Sequence, residues 1–529
     1  MEALRITVIM LTLSSILFLA ALDMTIIATI APTVSEQFAS PTGYVWAGSS
    51  YLLASAISTP SLARCSDVWG RKPLILVADS LFLLGSLLAA TSTSMAMFLV
   101  GRAIQGTGGG GIIVLVQIII SDLFSERDRA AYLSVIEVVF AVALAVGPTL
   151  GGVITERASW RWVFYMNLPA GGVALILAFF FLDIQTPAFK FLEGVAIIDW
   201  TGSLLITVGT GLFLVGLEFG AAAYPWDSPL VICLIVFGVA IAVVFVVWEL
   251  YYSTNPLMPM KVFTHRSSCA TLIVCFMHGL VSMAGSYFLP LYFQSALGAS
   301  PLSSGVYFLP TTLATSIASI LGGLYIRATG NYFFPIFVGL VFMTAGNGMF
   351  VDLSATSTLA KIILYQIIAA AGIGLNYQAP LVGLQAMVSP DNVASATATL
   401  NFLRNLATAI SVIAGGTIFQ SQMSNKRDRL HSLLGNEMAA RFSGEKAVSS
   451  IPAIARLSST EQIIVQEAYA DSLSVMWIFY TALSAVGLVA AVCITQLKLK
   501  KEHEQISTGI DAEMRRIDAI RVEREDGKS

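Results

Sequence analysis

Apolar residues run for about 20 positions at a time along most of this chain, interrupted by short clusters of Gly, Pro, Asn and charge. A helix of about 20 residues crosses a hydrocarbon layer about 30 Å thick, whereas a soluble core mixes polar positions into every element at a period of 3.6 or 2. Fourteen such runs stand out, at about 6–31, 45–62, 73–92, 96–121, 130–154, 162–183, 199–219, 229–251, 268–294, 303–327, 333–351, 360–388, 394–420 and 472–496. The pattern predicts an all-α membrane protein with 14 transmembrane helices.

Composition agrees. Of 529 residues, 56% are hydrophobic and 12% charged, against roughly 25% charged in a soluble domain. The net charge of −3 implies no nucleic-acid partner. The five cysteines form no CxxC pair, so neither a metal site nor a disulfide framework is expected. The first run, Ile6 to Ile30, is too long for a signal-peptide core and reads as a retained spanning helix. With the N-terminus inside, Arg5, Arg64, Arg71, Lys72, Arg127, Arg129, Lys190, Lys261, Arg266 and Arg327 lie on the inner side, and the short outer loops hold only Arg157, Arg161 and Lys361. That bias places both termini in the cytoplasm.

Two halves are visible. The turn "SDVWGRKP" after the second run has a degraded counterpart, "IRATGNYF", after the tenth, and aligning Gly70 with Gly330 pairs Asp67 with Arg327. The division expected is a six-helix bundle over 1–185, two inserted helices with linkers over 186–262, and a second six-helix bundle over 263–497, followed by a charged cytoplasmic tail over 498–529. A polar loop over 421–471 would lie outside; its segments "RLHSLLGNEMAARF" and "STEQIIVQEAYA" have helical periodicity and are expected to rest on the membrane surface.

The segment from Ala63 to Leu76, "ARCSDVWGRKPLIL", places a carboxylate, a glycine and two cations in a tight inner turn. Here the chain resembles the major facilitator superfamily, whose signature Asp67, Gly70, Arg71 and Lys72 match, with Ala63 in place of the first glycine and Val68 in place of a cation. The resemblance implies a major facilitator fold in a 6 + 2 + 6 arrangement and a cytoplasmic gate, in which Asp67 faces the positive N-terminus of the thirteenth helix and Arg71 holds the carboxylate in place.

Charges inside a bilayer are costly and usually paired. Asp23 in "LDMTIIATIAP" lies about 12 Å below the outer end of its helix, and Arg102 in "GRAIQGTGGGG" about 8 Å below the same surface, so the two are expected to meet. The Leu22, Asp23 and Thr25 set and the Arg102, Gln105 and Gly106 set resemble family motifs, and the resemblance implies a role for Asp23 and Arg102 in proton coupling. The fifth run ends in "AVGPTLGG", where Gly147, Pro148, Gly151 and Gly152 resemble the hinge motif of the family's antiporter branch; a proline among glycines predicts a bend. Gly108 to Gly111 either pack helices or line the cavity. Substrate-cavity candidates are Gln105, His278, Asn376, Gln378 and Arg404. Asp79 and Glu137 are expected near the inner surface, in reach of water, and the aromatics of "WRWVFYMNLPAG" in an interfacial belt.

"YFQSALGASPLSSGVYFLP" and "GLNYQAP" are similar to segments of fungal fourteen-helix drug:proton antiporters. What the resemblance implies is a monomeric, proton-coupled efflux transporter for a small amphipathic organic compound in the plasma membrane, with no cofactor. The alternatives are a vacuolar location, uptake of a siderophore or basic amino acid, and a transporter-like nutrient sensor. No Walker loop, paired histidines or nucleophile elbow points to an enzyme. The chain starts almost directly at its first helix, without the polar leader common among relatives, so an incomplete gene model is one expectation.

Overall fold

The computed structural model describes residues 2–38, 40, 43–182, 184, 191–222, 224–253, 255–258, 260–444, 446–501 and 514. Among them all regular structure is helical. In chain order the helices are α1 (Glu2–Gln37), α2 (Gly43–Trp69), α3 (Arg71–Ala90), α4 (Met95–Leu123), α5 (Glu126–Arg157), α6 (Arg161–Tyr165), α7 (Asn167–Phe181), α8 (Phe191–Ile197), α9 (Trp200–Ala222), α10 (Pro229–Tyr251), α11 (Lys261–Thr264), α12 (Arg266–Ser295), α13 (Pro301–Thr329), α14 (Phe333–Phe350), α15 (Leu359–Gln385), α16 (Val393–Asn425), α17 (Arg427–Leu434), α18 (Asn436–Arg441), α19 (Lys446–Ser449), α20 (Ile451–Ile454) and α21 (Ser459–Ala491). Among the described residues 13 helical spans are long and apolar enough to cross a membrane, α6 and α7 together making one of them. Adding α2, which is as long but richer in Ser and Thr and carries Arg64 and Asp67, brings the number to fourteen.

The chain divides into two compact units. The first comprises Met1–Cys269, Leu384–Asn405 and Leu497–Ser529; the second comprises Ala270–Gly383 and Leu406–Gln496. In the first, α4 is the central helix, and glycine makes that possible. A Cβ at Gly106 would strike the backbone of Tyr51 in α2, and one at Gly108 the backbone of Phe82 and Ala78 in α3. The glycine run of α4 is therefore a packing device that brings two neighbours to backbone contact.

Several boundaries differ from the sequence reading. Asp67 does not sit in a turn: α2 continues through the motif to Trp69, Gly70 alone turns the chain at φ 92°, and Arg71 opens α3. Gly330 makes the corresponding turn after α13 at φ 75°. These positive φ values favour glycine at both places. The segment "STEQIIVQEAYA" is not a surface helix but the first third of α21, started by a capping box in which Ser458 caps the helix and Glu461 accepts from the Ser458 N–H at 3.0 Å. The rest of the loop folds as α17 to α20 against the long ends of α16 and α21, where the Tyr469 hydroxyl donates to the Ala447 carbonyl at 2.6 Å. Of the tail, only residues 498–501 and 514 are among those described.

The belt expected at "WRWVFYMNLPAG" is also corrected. Trp162 is 58% exposed, but Trp160 and Phe164 are buried beside Phe98 and Phe38, with ring centroids 5.6 to 6.1 Å apart in edge-to-face geometry. Each such pair contributes about 0.5–1.5 kcal/mol beyond area burial.

Candidate functional site

Two buried polar groups lie in the first unit. The upper one surrounds Asp23, on α1. Arg102 on α4 forms an ion pair with the Asp23 carboxylate through its Nη1. The other carboxylate oxygen accepts from Gln105 Nε2 at 2.8 Å and from Asn167 Nδ2 at 3.1 Å. Both amides also donate to the Ser86 hydroxyl of α3, at 2.8 and 3.3 Å. Arg102 donates from Nη1 to Gln105 Oε1 at 2.6 Å and from Nε to the Ala47 carbonyl at 3.1 Å, and its guanidinium lies over the Tyr51 and Phe164 rings at 4.7 and 5.8 Å. Every member is buried. Buried charge of this kind is stable only when paired and hydrogen-bonded, which five elements accomplish here.

Gln105 thus belongs to the Asp23 group. Asn167, Ser86 and Tyr51 were not singled out from the sequence. Asn167 sits in "YMNLP", where aromatic neighbours dominate the pattern, and a Ser or Tyr in an apolar run carries no periodic signal. The arrangement has a chemical consequence. Besides the Asp23 carboxylate, Arg102 has a carbonyl, an amide oxygen and two ring faces as partners, so its charge does not depend on the ion pair alone.

The lower group occupies the end of the unit that carries the motif segment. Asp67 receives Arg71 Nη1 at 2.5 Å and Arg64 Nη1 at 3.2 Å; Arg71 also donates to Ser66 Oγ at 2.8 Å and pairs with Asp122 of α4 at 2.7 Å. Lys72 lies 5.7 Å from the Phe179 ring centroid. Beside this group, the segment 384–405 is tied to α4 and α5: Gln385 donates to Ser121 Oγ at 2.8 Å, Arg129 to Gln385 Oε1 at 3.1 Å, and Asn401 to Gln117 Oε1 at 2.6 Å. Sequence reading identified the Asp67 motif but not these partners, since a polar residue spaced singly along an apolar helix does not reveal what it faces.

The glycine motif of α5 lies against α1. The helix runs unbroken through it, so the bend expected at Pro148 is not a break, and the Pro148 side chain lies outside the described residues. Gly147 and Gly151 seat Thr25 and Thr29 of α1, whereas a Cβ at Gly152 meets nothing within 4 Å. An apolar recess of about 520 Å³ opens between α1, α5 and α7, lined by Leu11, Phe18, Val138, Val142, Val173 and Leu177 among others.

The remaining candidates divide between the units. Arg404 is buried in the first. In the second, His278 bonds through Nε2 to the Ile373 carbonyl at 3.0 Å and stands edge-on to Tyr377 at 5.6 Å, while Asn376 donates to the Gly372 carbonyl at 3.1 Å and Gln378 is buried nearby in α15. Asp79 and Glu137 are buried rather than open at the surface, 1% and 8% exposed, and among the described residues neither Asp79 oxygen has a hydrogen-bond partner. Among the described residues no cluster of His, Cys, Asp and Glu could hold a metal ion.

Helices long and apolar enough to cross a membrane, with ion pairs buried among those of the first unit, mark a multi-pass membrane protein. The sequence profile of the Major Facilitator Superfamily matches residues 13–412, and the chain belongs to that family. It is 45% identical over 523 residues, 99% of this chain and 90% of the relative, to the MFS-type transporter ppz2 of Metarhizium majus. It is 44% identical over 508 residues, 96% of this chain and 87% of the relative, to the efflux pump dotC of Dothistroma septosporum. Among solved structures, the human organic anion transporter MFSD10 aligns with a TM-score of 0.57 at 16% identity, covering 90% of this chain and 99% of that one, which supports the fold. Members of this family carry small molecules and are not enzymes.

Proposed function

We propose that the chain is a proton-driven exporter of small amphipathic organic molecules, of the kind that fungi use to expel secondary metabolites and toxins, working by alternating access in the plasma membrane. The observation that carries this reading is the enclosed Asp23 group: a carboxylate buried at membrane depth beside a cation that has other partners as well. Relatives of matching length named as efflux pumps support the direction. Asp23 exchanges the proton, Arg102 and Gln105 orient it, and Asp67, Gly70, Arg71 and Lys72 form the cytoplasmic gate. Gly147 to Gly152 form the sliding seam between α1 and α5, because the two threonines of α1 rest on glycines there. In the second unit His278, Asn376 and Gln378 recognise the substrate's polar end, and apolar surface holds the rest.

The test is retention of fluorescent amphipathic dyes and a panel of fungal toxins in yeast lacking its own drug pumps. The chain should lower retention of at least one compound, and a protonophore should abolish the effect while ATP stays high. Export that survives the protonophore contradicts proton drive.

A further inference from the structure

Arg64 occupies a position that the Asp67 motif does not explain. It is buried on the last turns of α2, three residues before Asp67, and its Nη2 donates to Asn255 Oδ1 while its Nη1 donates to Asp67. Asn255 follows α10, in a connection whose Ser253, Leu257 and Met258 are also buried. The amide of Asn255 is itself fixed, because its Nδ2 donates to the Ile197 carbonyl at 3.1 Å, so its oxygen must face Arg64. The base on which it rests is rigid as well. Asp199 accepts from the Gly202 N–H and from Trp248 Nε1, each at 2.8 Å, which binds the start of α9 to the end of α10, and buried Glu249 accepts from the Leu257 N–H at 3.0 Å. Val68 and Ile198, with Trp69 and Ile197 beside them, pack the chain entering α9 against the same end of α2. At the other end of the pair, Glu218 of α9 accepts from Ser49 Oγ of α2 at 2.7 Å.

We propose that the helix pair α9 and α10 sets the cytoplasmic gate through Asn255, a positioning residue whose side-chain oxygen holds Arg64 against Asp67; this rests on the alternating-access reading above. Arg71 is shared between Asp67 and Asp122, so Arg64 is the second cation on the Asp67 carboxylate, and Asn255 fixes where that cation stands. The two helices are then more than an insertion beside the bundle: they bear on the equilibrium between open and closed gate.

The reporter is Ser395→Cys in a chain whose five native cysteines are replaced by Ala. Ser395 is buried near the start of α16 with a hydroxyl that has no hydrogen-bond partner, so the thiol costs no contact. Inside-out vesicles are labelled with a membrane-impermeant maleimide, which needs no substrate. Losing one charge-assisted hydrogen bond shifts a two-state equilibrium by roughly tenfold, so Asn255→Ala should raise the labelling rate by about that factor, and Asn255→Gln, which keeps both the amide acceptor and the amide donor, should bring the rate back toward the original. Asp67→Asn should raise it too. A normal rate in Asn255→Ala beside a raised one in Asp67→Asn overturns the role of Asn255 and leaves the gate standing; normal rates in both overturn the gate and the proposal together. Size-exclusion profiles report folding, and Asn255→Ser carries the same test if the alanine variant does not fold.

Discussion

Replacing Arg102 with Gln exposes how the Asp23 group is held together. The guanidinium supplies an ion pair to Asp23, hydrogen bonds to Gln105 and the Ala47 carbonyl, and contacts with two aromatic faces. Removing one partner of a buried pair costs about 3–5 kcal/mol, because the other charge stays behind without compensation. In R102Q the Asp23 carboxylate keeps only the two amide donors Gln105 and Asn167. Replacing both charges with neutral amides avoids that penalty, so D23N/R102Q should be more stable than R102Q by about 2–3 kcal/mol. The assay is reversible unfolding in mixed micelles, with four proteins forming a double-mutant cycle. Additive effects within about 0.5 kcal/mol would refute the claim that these residues act as one buried pair.

Three further outcomes follow from the packing. Gly152→Ala enters open space and should be neutral or stabilising by up to about 1 kcal/mol through helix propensity, whereas Gly147→Ala strikes Thr25 of α1 and should destabilise; equal effects in thermal denaturation contradict the seam. Trp160→Ala should cost about 3–5 kcal/mol and Trp162→Ala under about 0.5 kcal/mol, measured the same way, since the first is enclosed by three aromatic rings and the second is exposed. The Lys361 ammonium, bonded to Asp352 at 2.7 Å, holds that exposed carboxyl below its usual range. Its small contribution to stability is present above the ordinary carboxylate value and is lost as pH falls through the lowered one. Asp352→Asn should remove that acid dependence, and an unchanged acid unfolding profile refutes it.

The spanning helices were legible because a bilayer demands about 20 apolar residues per crossing and the chain shows the demand directly. The Asp23 and Arg102 encounter was legible for the same reason: charge at membrane depth has to find a partner, and helical rise alone puts the two at similar depth. What stayed hidden were neutral partners. Asn167, Ser86 and Tyr51 around Asp23, and Gln117, Gln385 and Asn401 beside the Asp67 group, are uncharged residues that any neighbouring donor or acceptor, their own helix backbone included, can satisfy, so the sequence does not say which partner each meets. Asn255 was hidden for another reason, since it lies in a short connection and its partner Arg64 reads as one more inner-side cation. The capping box that begins α21 at Ser458 was readable, but the polar residues after it look like loop until the apolar half of the helix is seen to continue them.

The central claim is that Asp23 carries the coupled proton, and proteoliposomes with an imposed pH gradient test it most directly. With a dye that the wild-type chain concentrates, Asp23→Asn should still exchange dye for dye down its own gradient yet fail to concentrate it against one when protons are supplied. Concentrative transport by Asp23→Asn at the wild-type level contradicts the account.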